Sequence, residues 1–230
     1  MKRTTFLIPA YNEERTIGKL VEQIKDLYPK SGILVIDNNS TDNTNKLAKI
    51  NNTKVVFVKK QGKGSAMKRA FHECKTEFGI MLDADLTYSP SDAIKLVSEA
   101  TKNKANIVVG SRLNGIRNNG SMSVLRLIGN TFFTILARIL YKTQLSDICS
   151  GYWVIDRKAR KIFKNTIKAN GFEIEAEMTI LAIKNKLKVV EVPIHYKRRL
   201  DSSASKLNSI RDGIKISITL FRGKLPNNNI

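Results

Sequence analysis

Cysteine is scarce in this 230-residue sequence: Cys74 and Cys149 are the two, and no CxxC pair occurs. That spacing offers neither a disulfide framework nor a zinc site, and it fits a reducing compartment. Histidine is equally rare. His72 falls in a helical stretch and reads as structural; His195, in PIHYKRR, reads as capping a strand. Long apolar runs are missing too. The N-terminus, MKRTTFLIPAYNEE, reaches Pro9 after a run too short for a signal-peptide core. No run approaches the ~20 apolar residues of a membrane span. Residues 125–141 and 210–221 come nearest, and charges interrupt both. No helix-turn-helix, finger or RNP-like pattern is visible, which argues against a nucleic-acid-binding module. No internal repeat or low-complexity linker appears. Acidic residues are outnumbered, 20 against 40 Lys and Arg, for a net charge of +20. Such an excess calls for an anionic partner: nucleic acid, an acidic membrane surface or a phosphorylated substrate. A solubilising Lys-rich surface would also produce it. What is present in quantity is apolar residue, 42%, enough for a sizeable core.

Short apolar runs alternate with amphipathic stretches. Strands are predicted at 4–8, 33–36, 55–58, 79–82 and 107–109, most of them rich in Val and Ile. Helices are predicted at 14–27, 41–50, 63–75 and 91–102, with Asp42 and Ser91 as N-caps. This alternation predicts an α/β fold with a Rossmann-like, mainly parallel central sheet and helices on both faces. Ligands of such sheets bind outside the carboxyl ends of the strands. Those ends carry PAYNEE, DNNSTDNT, DADLTYSP and GSR. Each alone is ordinary turn chemistry, but four clusters on one edge make a crevice. Beyond residue 115 the pattern changes. An apolar helix at 125–141 is followed by DICSGYWVID, by a helix with acidic spots in GFEIEAEMTILAIKNK, by a strand in KVVEVPIHY, and by a basic stretch. One domain, 1–230, is expected, with a nucleotide-binding half (1–115) and an acceptor-binding, membrane-proximal half (116–230).

The stretch GIMLDADLTYSP, residues 79–90, ends an apolar strand in Asp83 and Asp85. Two carboxylates at i and i+2 suit Mg²⁺ or Mn²⁺, which use one or two carboxylates plus substrate phosphates. A metal there would stabilise a departing nucleotide diphosphate. A helix N-cap beside a turn Asp would give the same letters.

The pieces IPAYNEE, VIDNNSTDNT, GKGSAM, MLDADLTYSP, VVGSR, DICSGYWVID, GFEIEAEM, VVEVPI and SKL occur in this order over nearly the whole chain. In this order they resemble the inverting GT-A-fold glycosyltransferases of family two, related to dolichyl-phosphate mannosyltransferase and bacterial polyprenyl-phosphate glycosyltransferases. The resemblance implies a metal-dependent transfer of sugar from a UDP- or GDP-sugar to polyprenyl or dolichyl phosphate. It implies a site for the nucleotide at Pro9, Tyr11, Asn12 and Glu13, with Asp37 and Asn38 near the base. The Gly62, Lys63 and Gly64 backbone would lie against the nucleotide, and Asp83, Ala84 and Asp85 would carry the metal and diphosphate. Arg112 would meet a phosphate of the donor. Arg126, Arg198, Arg199 and Lys206 are the candidates for the acceptor phosphate, with Asp85, Asp147 and Arg199 taken as catalytic.

The chain departs from the pattern in places. Relatives often have Asp where Asn38 stands, and the mannosyltransferase branch often has Gln where Thr87 stands. The basic segment after Tyr196 is one residue longer, which leaves Arg198 and Arg199 as alternatives. The QxxRW of processive synthases is absent. A lipid phosphate is already largely anionic near neutrality, its second pKa being about 6, so no strong base is needed. A hydroxyl acceptor would require one, and Asp147 and Glu177 are its candidates; the alternative is that both simply orient basic neighbours. With a lipid acceptor and no span, peripheral docking on the cytoplasmic membrane face is expected. The two stripes at 125–141 and 207–221 would make the contact; packing on the protein's own core is their alternative fate.

Overall fold

The computed structural model describes residues 1, 3–50, 53–118, 120–199 and 209–225. Seven strands form one sheet: β1 (Thr4–Ala10), β2 (Gly32–Asp37), β3 (Lys54–Phe57), β4 (Phe78–Met81), β5 (Ile107–Arg117), β6 (Trp153–Ile155) and β7 (Val189–Tyr196). Their order is β3-β2-β1-β4-β6-β5-β7, and β6 alone runs against its neighbours. Alternate side chains enter opposite layers, as pleating requires. Leu7, Trp153 and Ile155 join the core under α3 (Lys63–Glu73), α6 (Arg157–Thr166) and α7 (Ile174–Lys184). Phe6, Ile8 and Val154 join the core under α1 (Ile17–Leu27), α2 (Thr44–Ala48) and α4 (Ala93–Lys102). This is the α/β architecture expected from the alternating pattern.

The reversal at β6 matters for function. A strand that runs backwards begins at the edge where its parallel neighbours end. The segment 147–151 therefore joins the carboxyl ends of β1, β4 and β5. A second irregularity lies in β5, where Ser111 pairs with Pro193 but the next pair is Ile116 with His195. Pro193 has no N–H for the ladder, and the surplus residues of β5 bulge out there. Bulges re-aim side chains, and this one carries Arg112.

Some local expectations need correction. Ser91 is not an N-cap; it lies in a single 3₁₀ turn, Pro90–Asp92, and Asp92 precedes α4. Asp92 instead accepts from the His195 backbone N–H at 2.8 Å and faces its Nδ1 at 3.0 Å, so His195 is tied to that turn. Asp42 precedes the cap position of α2, yet its carboxylate does accept from Thr44 N at 2.9 Å. α5 (Val124–Tyr141) and α8 (Ser209–Lys224) pack on each other. The sequence reading discounted a span at 125–141, but α5 has the length and mean hydropathy, 1.4, of one. It lies along the domain, with Asn130, Thr134 and Ala137 buried.

Candidate active site

A cavity of about 510 Å³ opens at the carboxyl edge of the sheet, between the ends of β1 and β4 and the α5–α8 pair. That is within the usual size range of a small-ligand site. It follows the position where the strand order reverses around β1. Pro9, Ala10, Tyr11 and Glu13 line one end, Asp83, Ala84 and Asp85 the floor, and Leu125, Ile128 and Phe132 the far wall.

The floor is built around Lys63. Its ammonium lies 2.6 Å from Asp83 Oδ1 and 2.6 Å from Glu175 Oε1. Burial alone would lower the Lys63 pKa, but the two carboxylates hold it well above the ordinary lysine value. Burial pushes Asp83 and Glu175 up, against the pull of Lys63. Asp83 is fitted against Gly151, where a Cβ would meet its Oδ2 at 2.3 Å. Asp85 is fixed from the other side. Thr87 donates to its Oδ1 through N at 3.1 Å and through Oγ1 at 2.6 Å. Leu86 between them takes a left-handed φ of 61°. A non-glycine residue held there marks a turn kept for its geometry.

Above the floor stand two guanidinium groups. Arg199 Nη2 lies 2.7 Å from Glu13 Oε1, and its Nη1 3.5 Å from Asp85 Oδ2. Arg112 makes a two-pronged pair with Asp147, Nε to Oδ2 at 2.7 Å and Nη2 to Oδ1 at 2.8 Å. Its face covers the Tyr196 ring, 5.4 Å from the centroid. Asp147 also accepts from Arg112 N at 3.0 Å and Asn130 Nδ2 at 2.9 Å.

A family model described as glycosyl transferase family 2 matches residues 5–163. The chain belongs to that family. Glycosyltransferase AglJ of Haloferax volcanii is 34% identical over 223 residues, which cover 96% of this chain and 72% of that protein. The UDP-N-acetylglucosamine–dolichyl-phosphate N-acetylglucosaminyltransferase of Methanococcus voltae is 29% identical over 82% of this chain and 83% of its own length. Polyprenol monophosphomannose synthase of Mycolicibacterium smegmatis is 29% identical over 97% and 89%. Among solved structures, glucosyl-3-phosphoglycerate synthase from Mycobacterium tuberculosis, in complex with Mn²⁺, uridine diphosphate and phosphoglyceric acid, superposes with a TM-score of 0.76. It covers 99% of this chain and 80% of that one at 19% identity, a likeness of fold.

In this family 2 glycosyltransferase the cavity gathers Pro9, Tyr11, Glu13, Asn38, Lys63, Asp83, Ala84, Asp85, Arg112, Arg126 and Arg199 from the residues singled out in the sequence. Others lie outside its lining. Asn12, at φ 51°, locks the β1 loop to the β2 loop, accepting from Thr41 N at 2.8 Å. Asp37 accepts from Ser40 N in the same loop and from Asn45 Nδ2 in the first turn of α2. Gly62 and Gly64 face protein, not the cavity: a Cβ would meet Asn170 O at 2.0 Å and Ala169 O at 2.5 Å. The N–H groups of Gly64 and Ser65 donate to Gly171 O and Asn170 O, each at 3.2 Å. The side of these glycines that a Cβ would take is thus occupied by the 169–171 backbone. Asn38 donates to Lys60 O at 2.7 Å and accepts from Gly62 N at 2.7 Å. An aspartate there could not make the first bond, so the amide clips the 58–62 loop. Arg198 is exposed and outside the lining. Lys206 and the SKL motif lie outside the described residues.

Asp147 sits as the orienting alternative expects. It is fully buried, and burial, which alone would raise its pKa, is overcome by Arg112, which holds the group below the ordinary aspartate value. A carboxylate engaged in this way makes a poor proton acceptor. It orients Arg112 instead. Glu177, the other candidate base, accepts from Lys168 N at 2.9 Å and Ala169 N at 2.7 Å, outside the cavity lining. Glu175 was missed by the sequence reading. An acid in EIEAE looks like a solvent-facing helix position, although the helix, α7, is buried at Ile174, Glu175, Ala176 and Met178.

Proposed function

We propose that this glycosyltransferase moves a sugar from a UDP- or GDP-sugar to a polyprenyl or dolichyl phosphate, with inversion, on the cytoplasmic face of a membrane. The first half of the chain, 1–115, takes the nucleotide, and 116–230 takes the acceptor, with Arg112 at the end of the first half turned to the acceptor side. One observation carries the choice of acceptor. Leu125, Ile128, Phe132 and Ile210 line the cavity and are also more than half exposed. The cavity mouth is therefore continuous with an apolar outer face, as a lipid with a buried head and a long tail requires. The names of two relatives, which speak of dolichyl phosphate and polyprenol monophosphomannose, support the same reading.

The carboxylates at 83 and 85 fit a divalent cation. They offer oxygen ligands alone, and a positive group, the Arg199 guanidinium, already approaches Asp85 Oδ2. Among the described residues no cluster of three ligating side chains occurs, so the donor's phosphates would complete the shell. Bound there, Mg²⁺ or Mn²⁺ would supply charge stabilisation to the leaving diphosphate. Thr87 holds Asp85 through its hydroxyl and is a support more than a ligand. Arg112, expected on the donor side from the sequence pattern, lines the cavity together with Arg126 and Leu125; with Arg126 and Arg199 it would bind the acceptor phosphate and steer its oxygen towards the sugar. Positioning and electrostatics are enough for an anionic nucleophile. Neither candidate base is free to act on a hydroxyl acceptor, which favours the phosphate over that alternative.

The test is a screen of UDP- and GDP-sugars with membrane lipid extract as acceptor, with and without EDTA. Sugar appearing in the organic phase in a metal-dependent manner is the expected result. Transfer to water-soluble saccharides alone would reject the lipid phosphate.

A further inference from the structure

The motif VVEVPI is not explained by the donor site. Its acid, Glu191, stands on β7 opposite Val109 of β5. Its carboxylate reaches the 146–147 loop, accepting from Ser146 N at 2.9 and 3.0 Å and from Asp147 N at 3.1 Å. No ion pair joins it to a cation among the described residues. Glu191 is half-buried, and its carboxylate is spent on backbone N–H groups of this loop instead of on a cation. What the loop carries supplies the reason. Asp147 follows directly, and every bond it accepts comes from Arg112 or Asn130. Asp147 takes the Nε and Nη2 edge of Arg112, and Tyr196, five residues beyond Glu191, covers its face. The remaining edge, Nη1, has no protein acceptor among the described residues, and Arg112 lines the cavity. The guanidinium is thus fixed on two sides and open on the third.

We propose that Glu191 is a positioning residue for the acceptor phosphate: through the 146–147 backbone and Asp147 it fixes the edge that Arg112 presents to the cavity. The inference rests on the reading of Arg112 as a phosphate ligand. A carboxylate is suited to the task because it can receive both N–H groups at once. Glutamine keeps one such oxygen and turns an amide donor towards Ser146 N, so it should rescue in part.

The experiment measures binding of farnesyl phosphate, farnesol and UDP with Mn²⁺ to the full chain by calorimetry. Without the carboxylate the 146–147 N–H groups lose their acceptor and the edge that Arg112 presents is no longer fixed. Glu191→Ala is therefore expected to weaken farnesyl phosphate about tenfold and Glu191→Gln less, while farnesol and UDP binding stay within about twofold. Asp147→Asn combined with Glu191→Ala should be no worse than Asp147→Asn alone, since both act on one guanidinium. Unchanged farnesyl phosphate binding in a folded Glu191→Ala or Glu191→Gln protein overturns the proposal. So does an equal loss for farnesol or UDP, or losses that multiply in the double variant. Arg112→Lys separates the two levels. If it binds farnesyl phosphate like the wild type, the phosphate role of Arg112 falls and this inference with it. If it binds weakly while the Glu191 variants bind normally, only the present inference falls.

Discussion

At Lys63 one ammonium answers two carboxylates, and this balance sets a pH signature. Removing the ammonium leaves Glu175 buried and Asp83 half-buried, both without their cation, and breaking a buried pair in this way typically costs about 3–5 kcal/mol. Lys63→Met is expected to lose about that much at pH 7. The sign follows from the shifts. Both acids already have native pKa values raised by burial, and Lys63 opposes the rise. Without it they rise further above their unfolded values of about 4. Stability from protonating them is present below those values and lost as pH climbs through the raised native ones. The deficit of Lys63→Met should thus be largest near neutrality and shrink in acid. Urea midpoints across this range would show it; a gap independent of pH would remove the ionic account. Asp85 is a different case. Its side chain is partly exposed and holds a turn, so Asp85→Ala should abolish transfer with a stability loss of about 1 kcal/mol. Wild-type turnover of this variant in Mg²⁺ or Mn²⁺ would end the metal assignment. Asp83 and Asp85 were legible because an apolar run stops at them. Glu175 was not, because its burial depends on α7 packing against a lysine more than a hundred residues away.

Among elements, the five early strands were legible because buried parallel strands are uninterrupted apolar runs. β6 was not: three residues, Trp153–Ile155, carry no period, and its reversal is a property of the sheet. α6 was hidden in the same way, since RKARKIFKNT shows more charge than stripe, though Asp156 caps it by accepting from Ala159 N at 2.7 Å. The glycines of GKG also pack against the 169–171 backbone, a contact that the motif alone does not reveal. That docking gives a sharp expectation. Gly64→Ala places a methyl 2.5 Å from Ala169 O, which neither backbone can relieve without moving. A loss of about 1–3 kcal/mol is expected, as for overpacked sites. Because Lys63 is adjacent, UDP binding should weaken as well. Normal thermal stability in Gly64→Ala would show that the 169–171 segment is free to shift. α8 offers the opposite case. Ile214 and Ile218 are 56% and 42% exposed, so replacing both with Glu should leave the unfolding midpoint nearly unchanged. If the double variant unfolds, that face is core after all.

For the whole molecule, the proposed membrane contact would use the charge and the apolar face together. α5 exposes Leu125, Ile128, Phe132, Ile135 and Ile139, and α8 exposes Ile210, Ile214, Ile218 and Phe221. Single exposed apolar residues mean little, but two packed helices that present nine together form a surface for a partner. Arg126, Arg138, Arg211, Lys215 and Arg222 flank them in sequence, within a chain of net charge +20. An apolar face between cations suits the interface of an anionic bilayer, where helices lie in the headgroup plane. Each basic residue near such a surface contributes about 1 kcal/mol, and the attraction fades over a Debye length of about 10 Å at 0.1 M salt. The two contributions separate experimentally. The protein should pellet with vesicles containing phosphatidylserine at low salt, and salt should release part of it, because the apolar contribution persists when charge is screened. Vesicles of phosphatidylcholine alone should retain less. The Ile214→Glu, Ile218→Glu protein, folded but with added acid on this face, should bind both vesicle types weakly. A wild-type protein that stays in the supernatant at low salt would reject membrane docking. The exposed mouth at Leu125 and Ile210 would then need an apolar partner other than a bilayer.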